Sequence, residues 1–364
     1  MHEPTNLDEL RQAVIDLRHI RVRGAGTKPA LSDAPTVSTA KLRGVISYDP
    51  SEFTFTALAG TPLAEIRDLL TEHGQFLCFD PPLVDAGATL GGTVASGLSG
   101  PGRLRFGGVR DFLLGAQLVT GEGRVVFGGG KVVKNAAGFD IPKLMVGGLG
   151  QYGVLAELTF KVFPRPESYA TLEIRCRSLG SALSLQAKIS ACPLEPACLD
   201  LLPDGALWVR VGGLQVAQAA RLERLRALAS SDEVLDTQLH EDDRQLWSDA
   251  SELTWATDAS GEISQVLARI ALTPKDIPSL EQLLKERTTA QRRYSVAGNV
   301  AWIGCGAELI PAIDDWCSQH GRTGLVLRGT SHRQPPILGQ PPGAPFRRHL
   351  KSVFDPQNKL TAQA

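Results

Sequence analysis

Two stretches of this chain combine residue types that can hold a flat, anionic ligand. Residues 87–112 read GATLGGTVASGLSGPGRLRFGGVRDF, and 18 of the chain's 37 glycines lie between Gly87 and Gly150. Glycine is favoured where a backbone must bend to positive φ or approach a ligand closely, so this density marks a candidate site. Valine, leucine and phenylalanine are interleaved throughout, which excludes low complexity. Within GATLGGTVASG (87–97), Gly91 and Gly92 remove side chains where a bulky planar ligand could lie. Thr89, Thr93 and Ser96 add hydrogen-bonding groups without charge. The other stretch is RGAGTK (23–28), whose glycines let successive N–H groups converge on one anion. Thr27 adds a hydroxyl donor and Lys28 a charge. Taken alone, RGAGTK is explained as well by a plain strand-to-helix turn. The two stretches together favour a diphosphate-bearing cofactor with a large planar ring.

Two other glycine motifs fail on context. GLGQYG (148–153) matches GxGxxG letter for letter, but a helical IPKLMVG precedes it and the strand VLAELTFKVF follows. A Rossmann site needs the reverse order, so that a helix N-terminus meets the pyrophosphate. FGGGKVVKN (127–135) has Val132 where a P-loop needs a hydroxyl, and it lacks the correctly spaced first glycine.

The elements that must position these segments follow from periodicity. Asn6 and Glu9 fit an N-cap and its capping-box partner, opening a helix with Leu10, Val14 and Leu17 on one face. IRVR (20–23) reads as a short strand leading into Gly24. VISYD (45–49) and FTFTAL (53–58) read as a strand pair, and TPLAEIRDLLTEH as a helix stopped by Gly74. LGAQLVT (114–120), RVVFG (124–128) and VLAELTFKVF (154–163) continue the β pattern, while 87–97 reads as a loop. After FPRPE (163–167) the texture changes, which marks a domain boundary. YATLEIRC, ALWVRVGG, SQVLARIAL, RYSVAGNVAWIG and TGLVLRG are expected strands. They alternate with the helical SALSLQAKIS, VAQAARLERLRALA, IPSLEQLLKE and ELIPAIDDWCSQH, an α+β layout with helices on one face of a sheet. RQPPILGQPPGAP (333–345) is an extended connector, and PFRRHLKSVF a last helix.

Bulk properties remove several function classes. The chain has 364 residues, 43% of them apolar, with a formal charge of -1, so it suits a soluble two-domain protein with two real cores. Balanced acids and bases give no case for nucleic acid or an anionic membrane surface. No apolar run is long enough to span a bilayer, and MHEPTNLDEL is too polar for a signal peptide, so the expected location is the cytosol. Cys78, Cys176, Cys192, Cys198, Cys305 and Cys317 show no CxxC spacing. They are expected to pack as small apolar side chains, with no metal or iron–sulfur site in this chain.

RGAGTK, then GATLGGTVASGLSGPGRLRFGGVRDFLLG, then VVKNAAGFDIPKLMVGGLGQYGVLAELTFKVFPRP occur in that order. Together they resemble the FAD domain of the vanillyl-alcohol oxidase (PCMH-type) flavoprotein family, and within it the FAD-binding subunits of glycolate oxidases. The resemblance implies an α+β fold: two α+β subdomains clasping FAD over residues 1–167, followed by an α+β cap domain over 168–332. The connector and last helix, 333–364, would return to the FAD domain. It also implies site residues. Arg23, Gly24, Ala25, Gly26, Thr27 and Lys28 would hold the pyrophosphate. Gly87, Ala88, Thr89, Gly91, Gly92, Thr93, Ser96 and Gly97 would run along pyrophosphate and ring. Gly107, Gly108 and Val109 would support the cofactor's other side, and Val154 would meet the adenine or ribose through its backbone. Lys134-Asn135 and Phe139-Asp140 match the motif, with Asp140 read as the N-cap of IPKLMV. HLKSVFDPQNKL resembles the family tail, but Thr361 and Ala362 stand where that tail runs into an Asn-Pro-Gly-Arg-like end. Members with covalent flavin place a His in the first loop; this loop has none, so tight, noncovalent FAD is expected.

Oxidising a 2-hydroxy acid requires a base for the hydroxyl proton and a cation for the carboxylate. Related D-lactate and 2-hydroxyglutarate dehydrogenases gather histidines and an acid around a metal, in runs such as HxGDGNxH. Here His240, His320, His332 and His349 stand far apart. Arg328, His332 and Arg333 form a cationic cluster that a solvated loop explains more simply. The resemblance therefore implies the FAD-binding subunit of a hetero-oligomeric glycolate (2-hydroxy-acid) oxidase. Its partners would be a larger catalytic flavoprotein subunit and an iron–sulfur subunit, with any membrane contact made through the complex. A self-sufficient dehydrogenase and a noncatalytic FAD-bound scaffold stay open as alternatives.

Overall fold

The computed structural model describes residues 1–32, 34–130, 140–257, 264–285, 290–329 and 336–360. Helix α1 (Leu7–Asp16) starts as its sequence requires: Asn6 Oδ1 accepts from the Glu9 N–H at 3.0 Å, and Glu9 reaches back to Thr5 and Asn6. Its Leu10 and Val14 join Ile20, Val37, Val154 and Leu360 in one apolar cluster. The strands beside it, β1 (Val22–Arg23) and β2 (Val37–Ser38), pair in parallel. The chain continues through β3 (Val45–Asp49), β4 (Thr54–Leu58), α2 (Leu63–Thr71), β5 (Gln75–Phe76) and α3 (Leu90–Ser96). Short helices α4 (Arg103–Phe106) and α5 (Val109–Phe112) lead to β6 (Leu113–Val119) and β7 (Val125–Gly129). Helix α6 (Ile141–Met145), β8 (Val154–Lys161) and β9 (Phe163–Pro164) complete this half. Five of the strands form an antiparallel sheet ordered β3-β4-β8-β6-β7.

Residues 87–97 are not a loop. They contain α3, capped by Thr89, whose Oγ1 accepts from the Gly92 N–H at 3.2 Å, and ended by Gly97 at φ 65°. Adjacent glycines disfavour a helix by propensity. Tertiary packing overrides this: a Cβ on Gly91 would lie 2.7 Å from the Ala59 Cβ, so the helix can approach the end of β4 only with glycine there.

The second half is a nine-stranded antiparallel sheet with an internal repeat. Its first unit runs β10 (Ser168–Cys176), α7 (Leu179–Ala191), β11 (Cys198–Leu201), β12 (Ala206–Gly213), α8 (Gln215–Ala229) and β13 (Val234–His240). After α9 (Arg244–Glu252), the second runs β14 (Val266–Ala271), α10 (Ile277–Lys285), β15 (Gln291–Ser295), β16 (Val300–Cys305), α11 (Ile310–Gln319) and β17 (Thr323–Arg328). Each is a βαββαβ unit, and the sheet order β13-β10-β12-β11-β15-β16-β14-β17-β18 gives each the ferredoxin-like arrangement. Strand β18 (Ile337–Gly339) extends the edge, and α12 (Ala344–Phe354) closes the chain. Alternate residues of β14 divide between the two faces. Val266, Ala268 and Ile270 pack in the cluster that holds the helices' apolar residues, whereas Leu267, with Trp302 and Leu327, joins the cluster of the N-terminal half.

Three expectations change here. RYSVAGNVAWIG is a hairpin, β15 and β16, because Val296, Ala297 and Gly298 all take positive φ. Strands β11 and β13 carry no run long enough to announce them. Part of the proline-rich connector pairs as β18; residues 333–335 lie outside the described ones. The six cysteines are free thiols, all buried except half-buried Cys192. Among the described residues, no helix is long and apolar enough to cross a membrane.

Candidate functional site

A cleft opens where the loop after β1 faces α3. The 23–28 loop enters from β1. Among the described residues, none of its backbone N–H groups from Gly24 to Lys28 donates to a protein acceptor. Below it, Lys28 is 8% exposed and has no carboxylate partner among the described residues; its Nζ donates only to Thr27 Oγ1, at 3.1 Å. Burial alone pulls its pKa down to about 8. A cation desolvated without a counter-charge, under a row of unspent donors, is the complement of a phosphate group.

The floor opposite is α3. A Cβ on Gly24 would sit 2.3 Å from Thr89 Oγ1, so loop and helix start are in close contact. Here the donors are already used: the N–H groups of Leu90, Gly91 and Gly92 go to Thr61 O, Ala59 O and Thr89 Oγ1. Segment 87–97 therefore offers a close-packed surface more than amides. Ser96 donates to Gly92 O at 2.8 Å.

The structure thus brings Arg23 through Lys28 together with Thr89, Gly91, Gly92 and Ser96 in one lining. Gly87, Ala88, Thr93 and Gly97 lie on the same segment outside it, and Thr93 Oγ1 is buried without a partner among the described residues. Gly107, Gly108 and Val109 also lie outside. Their N–H groups go to Arg103 O, Asp111 Oδ2 and Ser99 Oγ. Val154 is fully buried in the α1 cluster, and its neighbours Gly153 and Leu155 line the cleft instead. Asp140 caps α6 as expected, at 3.2 Å from the Lys143 N–H. Lys134, Asn135, Phe139, His332, Arg333, Thr361 and Ala362 fall outside the described residues. Sequence reasoning missed Thr39, Met145 and, from the Gly148–Gly153 turn, Gly148, Leu149, Gly150, Tyr152 and Gly153. GLGQYG is in the site after all; its glycine density was the signal, set aside because its order excluded a Rossmann helix.

Among the described residues, histidines do not converge on the cleft. His240 contacts Glu173 at 3.1 Å, His320 stacks on Trp316 and His349 lies on α12. Among the described residues, no three His, Cys, Asp or Glu side chains gather as a metal site.

Comparison with known proteins decides the ligand class: residues 2–129 match the family model described as an FAD binding domain. This part of the chain is therefore similar to an FAD binding domain. FAD is its cofactor, and the free loop amides and lone Lys28 fit that group. The chain is 42% identical to "Glycolate oxidase subunit GlcE" of Escherichia coli over 219 residues, 59% of this chain and 62% of that protein. It is 28% identical to "Glycolate oxidase subunit GlcD" of Bacillus subtilis, covering 57% and 46%. It is 23% identical to mitochondrial "D-lactate dehydrogenase [cytochrome] 1" of Saccharomyces cerevisiae, covering 68% and 49%. These matches span from about half to three-fifths of the relatives' own lengths. A solved structure of alkyldihydroxyacetonephosphate synthase superposes with a TM-score of 0.72 at 15% identity, covering 98% of this chain and 76% of that one; this is a likeness of fold.

Proposed function

We propose that this chain is the FAD-binding subunit of a glycolate (2-hydroxy-acid) oxidase complex. It would work beside a larger catalytic flavoprotein subunit and an iron–sulfur subunit that receives the electrons. The observation that carries the reading is Lys28, buried without an acid beneath a loop of unspent N–H groups. Identity to a protein named as a glycolate oxidase subunit supplies the substrate class. Bound FAD supplies a two-electron acceptor. The chain's own residues do the rest: Lys28 and the 24–28 amides hold the diphosphate, while Gly148–Tyr152 and α3 wall the cleft against water. No His or Cys among the described residues lines the cleft, which supports noncovalent attachment. In this reading residues 1–167 are the FAD domain, 168–332 the cap, and 333–364 the return to the FAD domain. A self-sufficient dehydrogenase is the second reading, favoured by the two arginines of the neighbouring cleft described below.

The test is purification of the full chain, alone and co-expressed with its complex. The expected result is a yellow protein whose FAD is released by acid, and a complex that shows iron–sulfur absorbance. A colourless chain that takes up no FAD sinks the reading. A yellow chain that turns over glycolate alone sinks the auxiliary role and leaves the second reading.

A further inference from the structure

A second cleft adjoins the cofactor site and carries unbalanced charge. Ser96, Gly148, Leu149 and Tyr152 line both clefts. Beyond them the second runs against β14 and β17, with α12 at its mouth. Arg269 and Arg347 line it, and no Asp or Glu among the described residues does. Arg347 is steadied at the mouth by Pro341 O, at 3.0 Å. Arg269 stands on β14 opposite Trp302 and Leu325, on the sheet face turned to the N-terminal half. It is half-buried, and its side chain makes no hydrogen bond or ion pair among the described residues. Burial, with Arg103 nearby, draws its pKa down to about 10, so its surroundings oppose the charge and do not balance it. The β14–β17 register shifts at Leu267/Ala268, and this sets Arg328 opposite Leu267, on that same face; among the described residues its Nε and Nη2 are buried without acceptors. Guanidinium groups held this way cost stability unless an anion completes them. The cofactor's diphosphate does not explain Arg269, which is absent from the lining that contains Lys28.

We propose that Arg269 anchors the carboxylate of a small 2-hydroxy or 2-oxo acid in this cleft, with Arg347 drawing the anion in at the mouth. The planar guanidinium suits two parallel bonds to a carboxylate. The chain then holds an organic acid of its own, beyond holding FAD. This rests on the functional reading above for the identity of the acid, though not for the existence of the site.

The test titrates the FAD-loaded full chain with oxalate, a dicarboxylate with no hydrogen to lose, followed by the flavin difference spectrum and by calorimetry. Saturable binding is expected. Arg269→Gln should weaken it about tenfold to a hundredfold, the size of one lost charged hydrogen-bonding group. Arg269→Lys should restore part of it, with equal FAD content in all three proteins. No binding to the wild type, or binding that Arg269→Gln leaves unchanged, overturns the proposal. Inorganic phosphate competing as well as oxalate reduces the site to a general anion site and overturns the carboxylate assignment. A chain that takes up no FAD defeats the functional reading instead, and oxalate calorimetry on the flavin-free protein still tests Arg269.

Discussion

Lys28 gives the site a pH signature. Its pKa in the flavin-free fold, about 8, lies below the ordinary lysine value of 10.5. From about pH 8 to 10.5 the unfolded chain holds the proton that the folded chain has released, so flavin-free stability rises with pH across that window. Below it the burial penalty is fully present. A bound diphosphate favours the charged form and raises the pKa, so FAD binding takes up a proton above about pH 8. FAD affinity should therefore fall as pH rises through 8, by up to about tenfold per unit. Fluorescence titration of FAD across pH 7–10 reads this, and Lys28→Met should bind more weakly with a flat profile. Gly24→Ala acts by shape at the same place. Its new Cβ meets Thr89 Oγ1 at 2.3 Å and displaces the α3 cap. The expected result is weaker FAD binding and a stability loss of about 1 kcal/mol, measured by urea denaturation.

At the scale of elements, the seam between the two βαββαβ units is the vulnerable join. Strands β11 and β15 share one ladder pair, Leu201 with Tyr294. Buried Asp200 takes both Arg293 and Ser295 through its side chain, and one further backbone bond joins the two units, from the Ala297 N–H to Leu199 O at 2.8 Å. Asp200→Ala leaves Arg293 buried and unpaired, at a cost of about 3–5 kcal/mol, which a fall in denaturation midpoint would register. Replacing both partners by apolar residues of similar size should cost far less, since no charge is stranded. An equal loss in the double variant would show that packing, not charge, holds the seam.

Across the whole molecule the two ends of the chain meet beside the cofactor loop. Ile20 bridges Leu360, three residues before Arg23. The turn that brings Leu360 there is tied by Asp355, 1% exposed, which accepts from Lys351 and from the Lys359 and Leu360 N–H groups. Lys351 also binds Gln151 O, in the turn whose flanking residues line the cleft. Truncation after Phe354 should therefore lower FAD content and speed hydrogen exchange at Ile20–Arg23, with the nine-stranded sheet unaffected. Unchanged flavin content would make the tail a passive end.

The sequence by itself determined the elements whose signals are local. Asn6 with Glu9 starts α1 and Gly74 stops α2, because caps and turn chemistry act within a few residues, while the order of the glycine motifs carries the family resemblance. It did not determine that the Leu90–Ser96 backbone forms a helix, that RYSVAGNVAWIG folds back on itself, or that GLGQYG belongs to the site. Only the tertiary structure decided these. Gly91 is helical because Ala59 lies against it, and the Gly148–Gly153 turn lines the same cleft as Lys28 across more than a hundred residues of chain. Such contacts depend on partners distant in sequence, which no local pattern encodes.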